Sequence, residues 1–311
     1  MSAARGVTVV GGGVVGLTAA LRLAETGRPV RVLTADRLDA TTSAVAAAIW
    51  SPYRVGPEGP VTRWGEVSYE VFAALAAAGV PGVRMRRGRS VLRDAEVPAW
   101  VASVPGATVR EVAGGREAVA VVPVVDMSAY LPWLADRCAA AGVQVQTRRV
   151  ETLADVPDDG DVVLAAGLRS GPLAADPSPF PVRGQVVRLA DPGLTEWVLD
   201  EADPAGLTYV VPRGADVVCG GTDDEGDWST EVDPRTEQRI LDRCLALVPA
   251  LHGAPILSRA VGLRPGRPTV RLERVDLDGR SVVCCYGHGG AGVTLSWGCA
   301  SDVLALVSAA G

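Results

Sequence analysis

The sequence lacks the features that would place the chain in a membrane or in an oxidising compartment. No apolar run is long and uncharged enough to span a bilayer. The first residues lead directly into an apolar run that ends in glycines, unlike a secretory signal, and the last residues carry no peroxisomal Ser-Lys-Leu signal. The six cysteines show no C-x-x-C spacing, which argues against a zinc site or a disulfide framework. We therefore expect reduced thiols, no metal site, no membrane partner and a cytoplasmic location.

Charge is also sparse, and its balance is acidic. Only 21% of the residues are charged and the formal net charge is −6, which argues against nucleic acid as the main partner. A small ligand is still allowed, because a local cationic pocket can lie within an acidic total. A hydrophobic content of 48% over 311 residues is typical of a compact globular protein with two domains, or with one large domain that carries an inserted layer.

The first glycine cluster lies between two apolar runs near the N-terminus. Val7–Val10 is short, β-branched and bounded by glycine, as is typical of a buried parallel strand. Gly11, Gly13 and Gly16 match G-x-G-x-x-G, and a helical pattern and a second strand follow. In this motif the glycines permit a tight turn, a close approach to a pyrophosphate and close helix–strand packing, in that order. The stretch predicts a dinucleotide site rather than an ordinary turn.

The residues after the second strand bear on which dinucleotide binds. Asp36, twenty residues after the last motif glycine, would accept hydrogen bonds from a ribose hydroxyl. Arg37 could suggest NADP, but Asp36 in front of it would repel a 2′-phosphate, so FAD or NAD is preferred. A nicotinamide domain would continue with repeated strand–helix units. Here a loop of small residues ending in Trp50, Pro52 and Tyr53 follows instead, as if it packed under a cofactor.

The rest of the chain alternates between two kinds of pattern. Helix–strand alternation resumes after residue 125 and ends in a buried strand followed by Ala-Ala-Gly, whereas the stretches before 125 and after 180 are rich in alternating strands. The sequence therefore predicts an α/β fold in which a discontinuous Rossmann-like domain is interrupted twice by a mainly antiparallel β domain. We assign 1–50, 125–180 and 255–311 to the nucleotide-binding domain, and 51–124 and 181–254 to the substrate domain.

Seven motifs in this order resemble the D-amino-acid oxidase and D-aspartate oxidase flavoproteins over nearly the whole chain. They are "VVGGGVVGL", "TTSAVAAAIWSPY", "AAGL", "VRGQVV", "YVVP", "GLRPGRPTVRLER" and "YGHGGAGVTLSWGCA". The resemblance implies an FAD-binding Rossmann-like domain with an antiparallel substrate domain. Glycine oxidases and sarcosine oxidases share this architecture, but their strongest motifs differ from those found here.

The resemblance implies FAD contacts on both glycine-rich loops. The helix predicted from Gly292 onward would direct its positive N-terminal dipole at the pyrimidine edge of the flavin, where negative charge gathers on reduction. His288 is interpreted as a packed, hydrogen-bonded residue rather than a base. The implied contacts are Gly13, Val14 and Val15 at the pyrophosphate, Asp36 and Arg37 at the ribose and adenine, Leu168 near the adenosine, and Thr42, Ser43, Ala47, Ala48, Ile49, Gly289, Gly290, Gly292, Val293 and Thr294 around the ring.

Three residues are implied to hold the substrate. Arg264, in "GLRPG", would grip its carboxylate, because a guanidinium presents a planar fork that lysine does not. Tyr209, in "LTYVVP", would help to hold the same group, and the carbonyl of Gly290 would accept from the amine. Ser51, which follows Trp50 where a glutamine is often found, would contact the amine or the side chain of the substrate through water. Ala205 stands where many relatives carry a further tyrosine, so a lid tyrosine is expected to be absent.

The implied activity is oxidation of a D-amino acid by hydride transfer from Cα to flavin N5, with oxygen as the final acceptor. The products would be a 2-oxo acid, ammonia and hydrogen peroxide, and the mechanism would need no enzymic base because orientation carries the rate. We expect a small-molecule D-amino acid and oxygen as partners, FAD as the cofactor and a possible homodimer.

Three alternatives stay open at this point. One is an amine oxidase of the glycine or sarcosine type. Another is an oxidase of D-aspartate or D-glutamate, which would need a second cation such as Arg213 or Arg54. The third is a flavin-binding protein without turnover, against which the presence of both Arg264 and Tyr209 argues.

Overall fold

The computed structural model describes residues 6–53, 55–93 and 96–309. Fifteen strands and eight α-helices lie within these ranges, with short 3-10 turns between them. In chain order they are β1 (Gly6–Val10), α1 (Val14–Ala24), β2 (Val30–Thr34), α2 (Thr42–Val45), α3 (Glu58–Ala77), β3 (Val83–Arg93), α4 (Trp100–Ser103), β4 (Thr108–Val112), β5 (Gly115–Val125), α5 (Met127–Ala140), β6 (Gln144–Thr147), β7 (Gly160–Leu164), α6 (Ser170–Leu173), β8 (Phe180–Ala190), β9 (Trp197–Asp200), β10 (Thr208–Pro212), β11 (Asp216–Gly220), β12 (Asp224–Glu225), α7 (Pro234–Leu247), β13 (Ile256–Gly266), β14 (Arg271–Leu277), β15 (Arg280–Tyr286) and α8 (Gly292–Ser308).

One sheet has six strands in the order β14-β15-β7-β1-β2-β6. Its five strands from β15 to β6 run parallel, and β14 closes one edge antiparallel to β15. The inner strands are nearly uninterrupted runs of buried valine and leucine, because helices and turns cover both faces of a parallel sheet. This sheet is the Rossmann-like part of the fold.

The second sheet has nine strands and is almost entirely antiparallel. Its order is β12-β8-β11-β10-β9-β3-β5-β4, with β13 paired to β8 as well. The exception is the parallel pair β3 and β9. A parallel sheet joined to a larger antiparallel one confirms the fold class expected from the sequence.

One strand of the structure does not lie in the sheet that the predicted domain segments imply. β13 belongs to the range 255–311, which the sequence analysis placed in the nucleotide-binding domain, yet it pairs with β8 along its whole length in the nine-stranded sheet. The chain therefore returns to the six-stranded sheet only at β14. The domain ranges themselves stay a prediction.

Helix α8 packs against α1 and α3 beside the six-stranded sheet. Where α3 and α8 cross, a Cβ added at Gly298 would collide with the backbone of Trp64, so the small residue sets the spacing of the two helices. The Gly298 N–H donates to Ser68 Oγ at 3.0 Å, and Trp297 Nε1 donates to Tyr130 Oη at 3.1 Å. These contacts fix the direction in which α8 points its N-terminus.

The cysteines are all free and buried. Cys284 and Cys285 are successive residues of β15 and contribute to different hydrophobic clusters on opposite faces of the sheet. Among the described residues, no helix combines the length and the apolar character needed to cross a bilayer.

Candidate active site

A cavity of about 600 Å³ lies between the two sheets. The six-stranded sheet contributes the carboxyl ends of β1, β2 and β7, where parallel α/β sheets characteristically bind ligands. The nine-stranded sheet contributes β8, β9, β10 and β13. The volume falls in the usual range for cofactor and substrate sites.

The glycine turn after β1 has the geometry that a pyrophosphate requires. Gly11 has φ +122°, which disfavours any other residue. A Cβ added at Gly16 would collide with the carbonyl of Gly11, so helix α1 can lie this close to β1 only with glycine there. Gly13 is the N-cap of α1, and the N–H of Val14 donates to Ser43 Oγ at 3.0 Å. The other N–H groups of a helix's first turn have no intrahelical partner, so they are available to bind a phosphate.

The residues around this turn fit FAD. A Cβ added at Gly12 would lie 2.5 Å from Thr34 Oγ1, so backbone alone forms this part of the wall. No acidic residue stands in the first turn of α1, which leaves the helix dipole free for an anion. Asp36 lines the same cavity at the end of β2, where a ribose hydroxyl would reach it.

Most of the predicted site residues line the cavity. Besides Arg264, Tyr209 and Gly290, they are Gly13, Val14, Val15, Asp36, Thr42, Ser43, Ala47, Ala48, Ile49, Leu168, Gly289, Gly292 and Val293. Segments that are more than 250 residues apart in sequence thus meet around one space. Their individual roles stay predictions.

Two predicted contacts do not reach the cavity wall. The side chain of Arg37 is 83% exposed and pairs with Asp39 at 3.3 Å instead. Thr294 is buried one residue behind the wall, where its Oγ1 donates to the carbonyl of Ser51 at 2.9 Å and accepts from the Ser51 N–H at 3.1 Å. Thr294 therefore joins the start of α8 to the loop that precedes Tyr53, and Ser51 itself does line the cavity.

Arg264 stands on β13 opposite Val182 of β8. One guanidinium nitrogen donates to the carbonyl of Thr222 at 2.7 Å. A Cβ added at Gly184 would lie 2.5 Å from the guanidinium carbon, so the absence of a side chain there makes room for the cation. Within the described ranges, no carboxylate lies within ion-pair distance of Arg264. A partly buried guanidinium without a counter-charge is suited to bind an anionic ligand.

Tyr209 lies beside this guanidinium on β10. Its ring covers Gly220 and Gly221, and a Cβ added at Gly221 would come within 2.7 Å of the ring. Burial raises the pKa of the Tyr209 hydroxyl, and the positive charge and hydrogen bond of Arg264 only partly oppose that rise. The phenol therefore stays protonated at neutral pH and can donate a hydrogen bond into the cavity.

The second glycine cluster lies opposite these two side chains. A Cβ added at Gly290 would meet the ring of Tyr53 at 2.8 Å and the side chain of Arg264 at 3.6 Å. The N–H of Gly289 donates to the carbonyl of Pro265 at 2.8 Å, which fastens the loop to the residue after Arg264. This hydrogen bond joins the loop to β13 directly beside Arg264.

Several wall residues escaped the sequence analysis. Gly184 lies inside β8, and nothing in the sequence shows which side chain packs over it. The sequence placed Tyr53 in the loop expected under the cofactor but gave no sign that Tyr53 donates to Asp223 at 3.0 Å, 170 positions away. Arg148 also lines the cavity and could have been predicted from the sequence, because it follows a short parallel strand at the sheet edge where ligands bind.

The sequence and the structure were compared with known proteins. The pattern of the family described as "DAO: FAD dependent oxidoreductase" matches residues 6–306. A D-amino-acid oxidase of Rubrobacter xylanophilus is 50% identical over 97% of this chain and 95% of its own, and one of Streptomyces coelicolor is 46% identical over 97% and 96%. A human D-aspartate oxidase is 36% identical over 97% and 94%.

Solved structures agree with these relatives at the level of the fold. A glycine oxidase from Geobacillus kaustophilus superposes with a TM-score of 0.82 at 20% identity, over 99% of this chain and 95% of its own. An L-α-glycerophosphate oxidase from Mycoplasma pneumoniae with FAD bound superposes with a TM-score of 0.76 at 15% identity, over 98% and 95%. The match over nearly the full length, together with a cavity that fits FAD, establishes that this chain belongs to the DAO family of FAD dependent oxidoreductases, with FAD as its cofactor.

Proposed function

We propose that this protein oxidises D-amino acids to 2-oxo acids, ammonia and hydrogen peroxide. The proposal is supported by a partly buried arginine with no carboxylate partner among the described residues, on the wall of the FAD cavity and beside a protonated tyrosine. Relatives named D-amino-acid oxidase, 46% and 50% identical over nearly the whole chain, support the same reaction. When bound, FAD supplies the hydride acceptor at N5 and returns the electrons to oxygen.

Arg264 and Tyr209 bind the substrate carboxylate in this proposal. The bond from Arg264 to Thr222 occupies one guanidinium donor, which leaves others for a two-point contact. The Tyr209 hydroxyl, kept neutral by burial, adds a third donor. Three donors from β13 and β10 of the nine-stranded sheet fix the orientation of the acid group, and the position of Cα is fixed with it.

The opposite wall of the cavity is proposed to bind the substrate amine and thereby to select one enantiomer. The Gly290 carbonyl is the proposed acceptor for the substrate amine, in a loop tied to the residue after Arg264. With the carboxylate and the amine both held, only one face of Cα can be turned toward the flavin, so one enantiomer reacts. No side chain is required to remove a proton, because the deprotonated amine supplies the electrons.

We propose neutral rather than acidic D-amino acids as the preferred substrates. A side-chain carboxylate would need a second cation, but Arg213 is 1% exposed, pairs with Asp216 and does not line the cavity. Arg54, the other candidate, lies outside the described residues. Leu199 stands opposite Tyr209 in the sheet and presents an apolar wall on the same face.

Substrate entry is proposed to occur without a lid tyrosine. Ala205 stands where many relatives carry a tyrosine, and it does not line the cavity. Arg243 of α7 holds its turn by donating to the Ala205 carbonyl at 3.1 Å and to Gly221 at 2.9 Å. This turn is therefore fastened to a helix, and the cavity mouth is expected to remain open.

The assembly and location are proposed in the same way. Six free cysteines, all buried, support a reducing compartment such as the cytoplasm. A homodimer is proposed as well, and Leu257 of β13, which is 56% exposed, is available for such a contact. Light scattering coupled to size exclusion would measure the mass and reject the dimer if only monomer elutes.

Peroxide release tests the proposed reaction. FAD-saturated protein is assayed side by side with D-alanine, D-valine, D-aspartate and glycine. We expect turnover of D-alanine and D-valine that exceeds that of D-aspartate and glycine. Faster turnover of D-aspartate would overturn the neutral preference, and faster turnover of glycine would favour an amine oxidase of the glycine type. A yellow protein that releases no peroxide from any of them would reject the proposed function.

A further inference from the structure

Three buried ligand-type side chains meet behind the flavin loop. Cys285 lies at the end of β15, His288 in the following loop and Cys299 in the middle of α8. Their sulfur and nitrogen atoms all lie within 4.8 Å of one another, and Cys285 Sγ is 3.9 Å from His288 Nε2. Their exposures are 1%, 3% and 0%. We call these three residues the Cys2His cluster.

We propose that the Cys2His cluster binds one Zn²⁺ ion, or a cation of the same thiolate- and imidazole-preferring class. Two sulfurs and one imidazole nitrogen are the donors that Zn²⁺ prefers and that Mg²⁺ and Ca²⁺ reject. A tetrahedral site needs a fourth ligand. Cys285 and His288 also line the cavity, so a water on the cavity side can supply it.

Charge balance makes a dication acceptable in this buried place. Binding releases the protons that remain on the two thiols, and two thiolates then cancel the charge of one Zn²⁺ ion. Burial raises the pKa of Cys299, while the hydrogen bond from Cys299 and the neighbouring His288 lower that of Cys285. Because binding releases thiol protons, Zn²⁺ affinity should rise with pH.

Neighbouring groups define which residues take part. Asp302 lies one turn beyond Cys299 on α8, but its oxygens accept from Arg63 at 2.9 and 2.7 Å and from Trp64 at 2.7 Å. It therefore supplies negative charge near the site rather than a ligand. Cys284, the neighbour of Cys285 on the same strand, faces the opposite side of the sheet.

A bound ion would clamp the second glycine loop at both ends. Cys285 precedes the loop, His288 lies in it and Cys299 follows it, while Gly289 and Gly290 between them line the cavity. The metal would hold these glycines in one arrangement, so metal and FAD affinity should be coupled and the coupling should be reciprocal.

Metal titration tests the site without any need for turnover. Protein with FAD, and protein freed of FAD, is reduced with a non-chelating phosphine, stripped of metal and titrated with Zn²⁺ against a chromophoric chelator. We expect one tight Zn²⁺ per chain for the wild type and for the control Cys284→Ser. The Cys285→Ser and Cys299→Ser variants should bind at least about tenfold more weakly. The proposal would be overturned if the wild type has no stoichiometric Zn²⁺ site, or if Cys285→Ser binds Zn²⁺ as tightly as the wild type.

Cobalt substitution keeps the test decisive if a cysteine variant fails to fold. Co²⁺ bound to wild-type protein should give the intense near-ultraviolet charge transfer of thiolate ligation and the visible bands of a tetrahedral ion. Weak octahedral bands without charge transfer would contradict the proposal whatever the variants do. FAD affinity measured with and without Zn²⁺ then reports whether the clamp acts on the loop.

Discussion

At the scale of single residues, the proposed carboxylate site depends on glycines that touch no substrate. Gly184 leaves room for the guanidinium of Arg264, and Gly221 leaves room for the ring of Tyr209. A side chain at either position would displace a group that the proposal requires to be correctly oriented. A glycine inside a strand normally costs stability, so the presence of Gly184 in β8 under Arg264 is consistent with a functional constraint.

Substitution of Gly184 by alanine should lower activity without releasing FAD. The added Cβ would lie 2.5 Å from the Arg264 guanidinium and push it away from the carboxylate position. We expect kcat/KM for D-alanine to fall roughly 10- to 100-fold, because a misplacement of about 1 Å can cost two orders of magnitude. Steady-state peroxide assays measure this fall.

The matched control is Gly59→Ala. Gly59 is a helical glycine of α3 with nothing within 4 Å of the added Cβ, so its substitution should leave kcat/KM unchanged. Equal activity in both variants would show that the space under Arg264 is not needed.

Whether a site residue could be predicted depends on how local its sequence pattern is. The motif glycines and Asp36 reach the cavity, because their spacing within one strand–turn–helix unit encodes their place. Arg37 does not, because it turns outward to Asp39 and the backbone pattern cannot reveal that rotamer. Gly184 and Thr222 could not be predicted, since their importance comes only from the long-range contacts with Arg264.

At the scale of elements, one carboxylate fastens the segment between β13 and β14 to the six-stranded sheet. Asp176 accepts from Arg267 at 3.1 Å, from the Tyr286 hydroxyl at 2.9 Å and from the Ser178 N–H at 2.9 Å. Burial raises the pKa of Asp176, but the hydrogen bonds from Ser178 and Tyr286 and the charge of Arg267 outweigh it and hold that pKa below its ordinary value.

Asp176→Asn should lower the free energy of unfolding at neutral pH. It should also make that free energy depend less on pH in the acid range. A depressed pKa in the folded state stabilises the protein at pH values above the ordinary aspartate pKa of about 4, and that stabilisation is lost as the pH falls below it. We expect the variant to lose about 3 kcal/mol at pH 7, because the largely buried guanidinium of Arg267 is left without its carboxylate partner. The difference from wild type should shrink between about pH 4 and pH 2.

Urea unfolding of both proteins at several pH values measures this difference. Asp158→Asn is the control, because Asp158 is 94% exposed in its pair with Arg280 and should contribute little. A difference between wild type and Asp176→Asn that stays constant down to pH 2 would contradict the assigned cause.

The sequence predicted individual helices and strands more completely than it predicted which strands pair with each other. Helix α8 and strand β7 were expected from apolar periodicity and are present at Gly292–Ser308 and Gly160–Leu164. The pairing of β13 with β8 was not expected, because strand propensity does not state which sheet a strand joins. Only tertiary packing decides that.

At the scale of the whole molecule, both sheets line one cavity, so FAD should stabilise the fold as a unit. A ligand that binds only the folded state adds RT ln(1 + [L]/Kd), which is about 2.7 kcal/mol at 100 times Kd. We expect Tm to rise steadily with the logarithm of FAD concentration in a single transition, measured by calorimetry. Two transitions, of which only one moves with FAD, would show that the two sheets unfold separately.

The central claim is that the Arg264 guanidinium holds the substrate carboxylate beside FAD, and anaerobic reduction tests it most directly. Wild type, Arg264→Leu and the control Arg259→Leu are mixed with D-alanine without oxygen, and the flavin absorbance is followed. Arg259 stands on the same strand but is 45% exposed and pairs with Glu237. We predict that wild type and the control lose their yellow colour rapidly. Arg264→Leu should keep its FAD and react roughly 100- to 10,000-fold more slowly, since two charge-assisted hydrogen bonds are lost. Bleaching of Arg264→Leu at the wild-type rate would contradict the account.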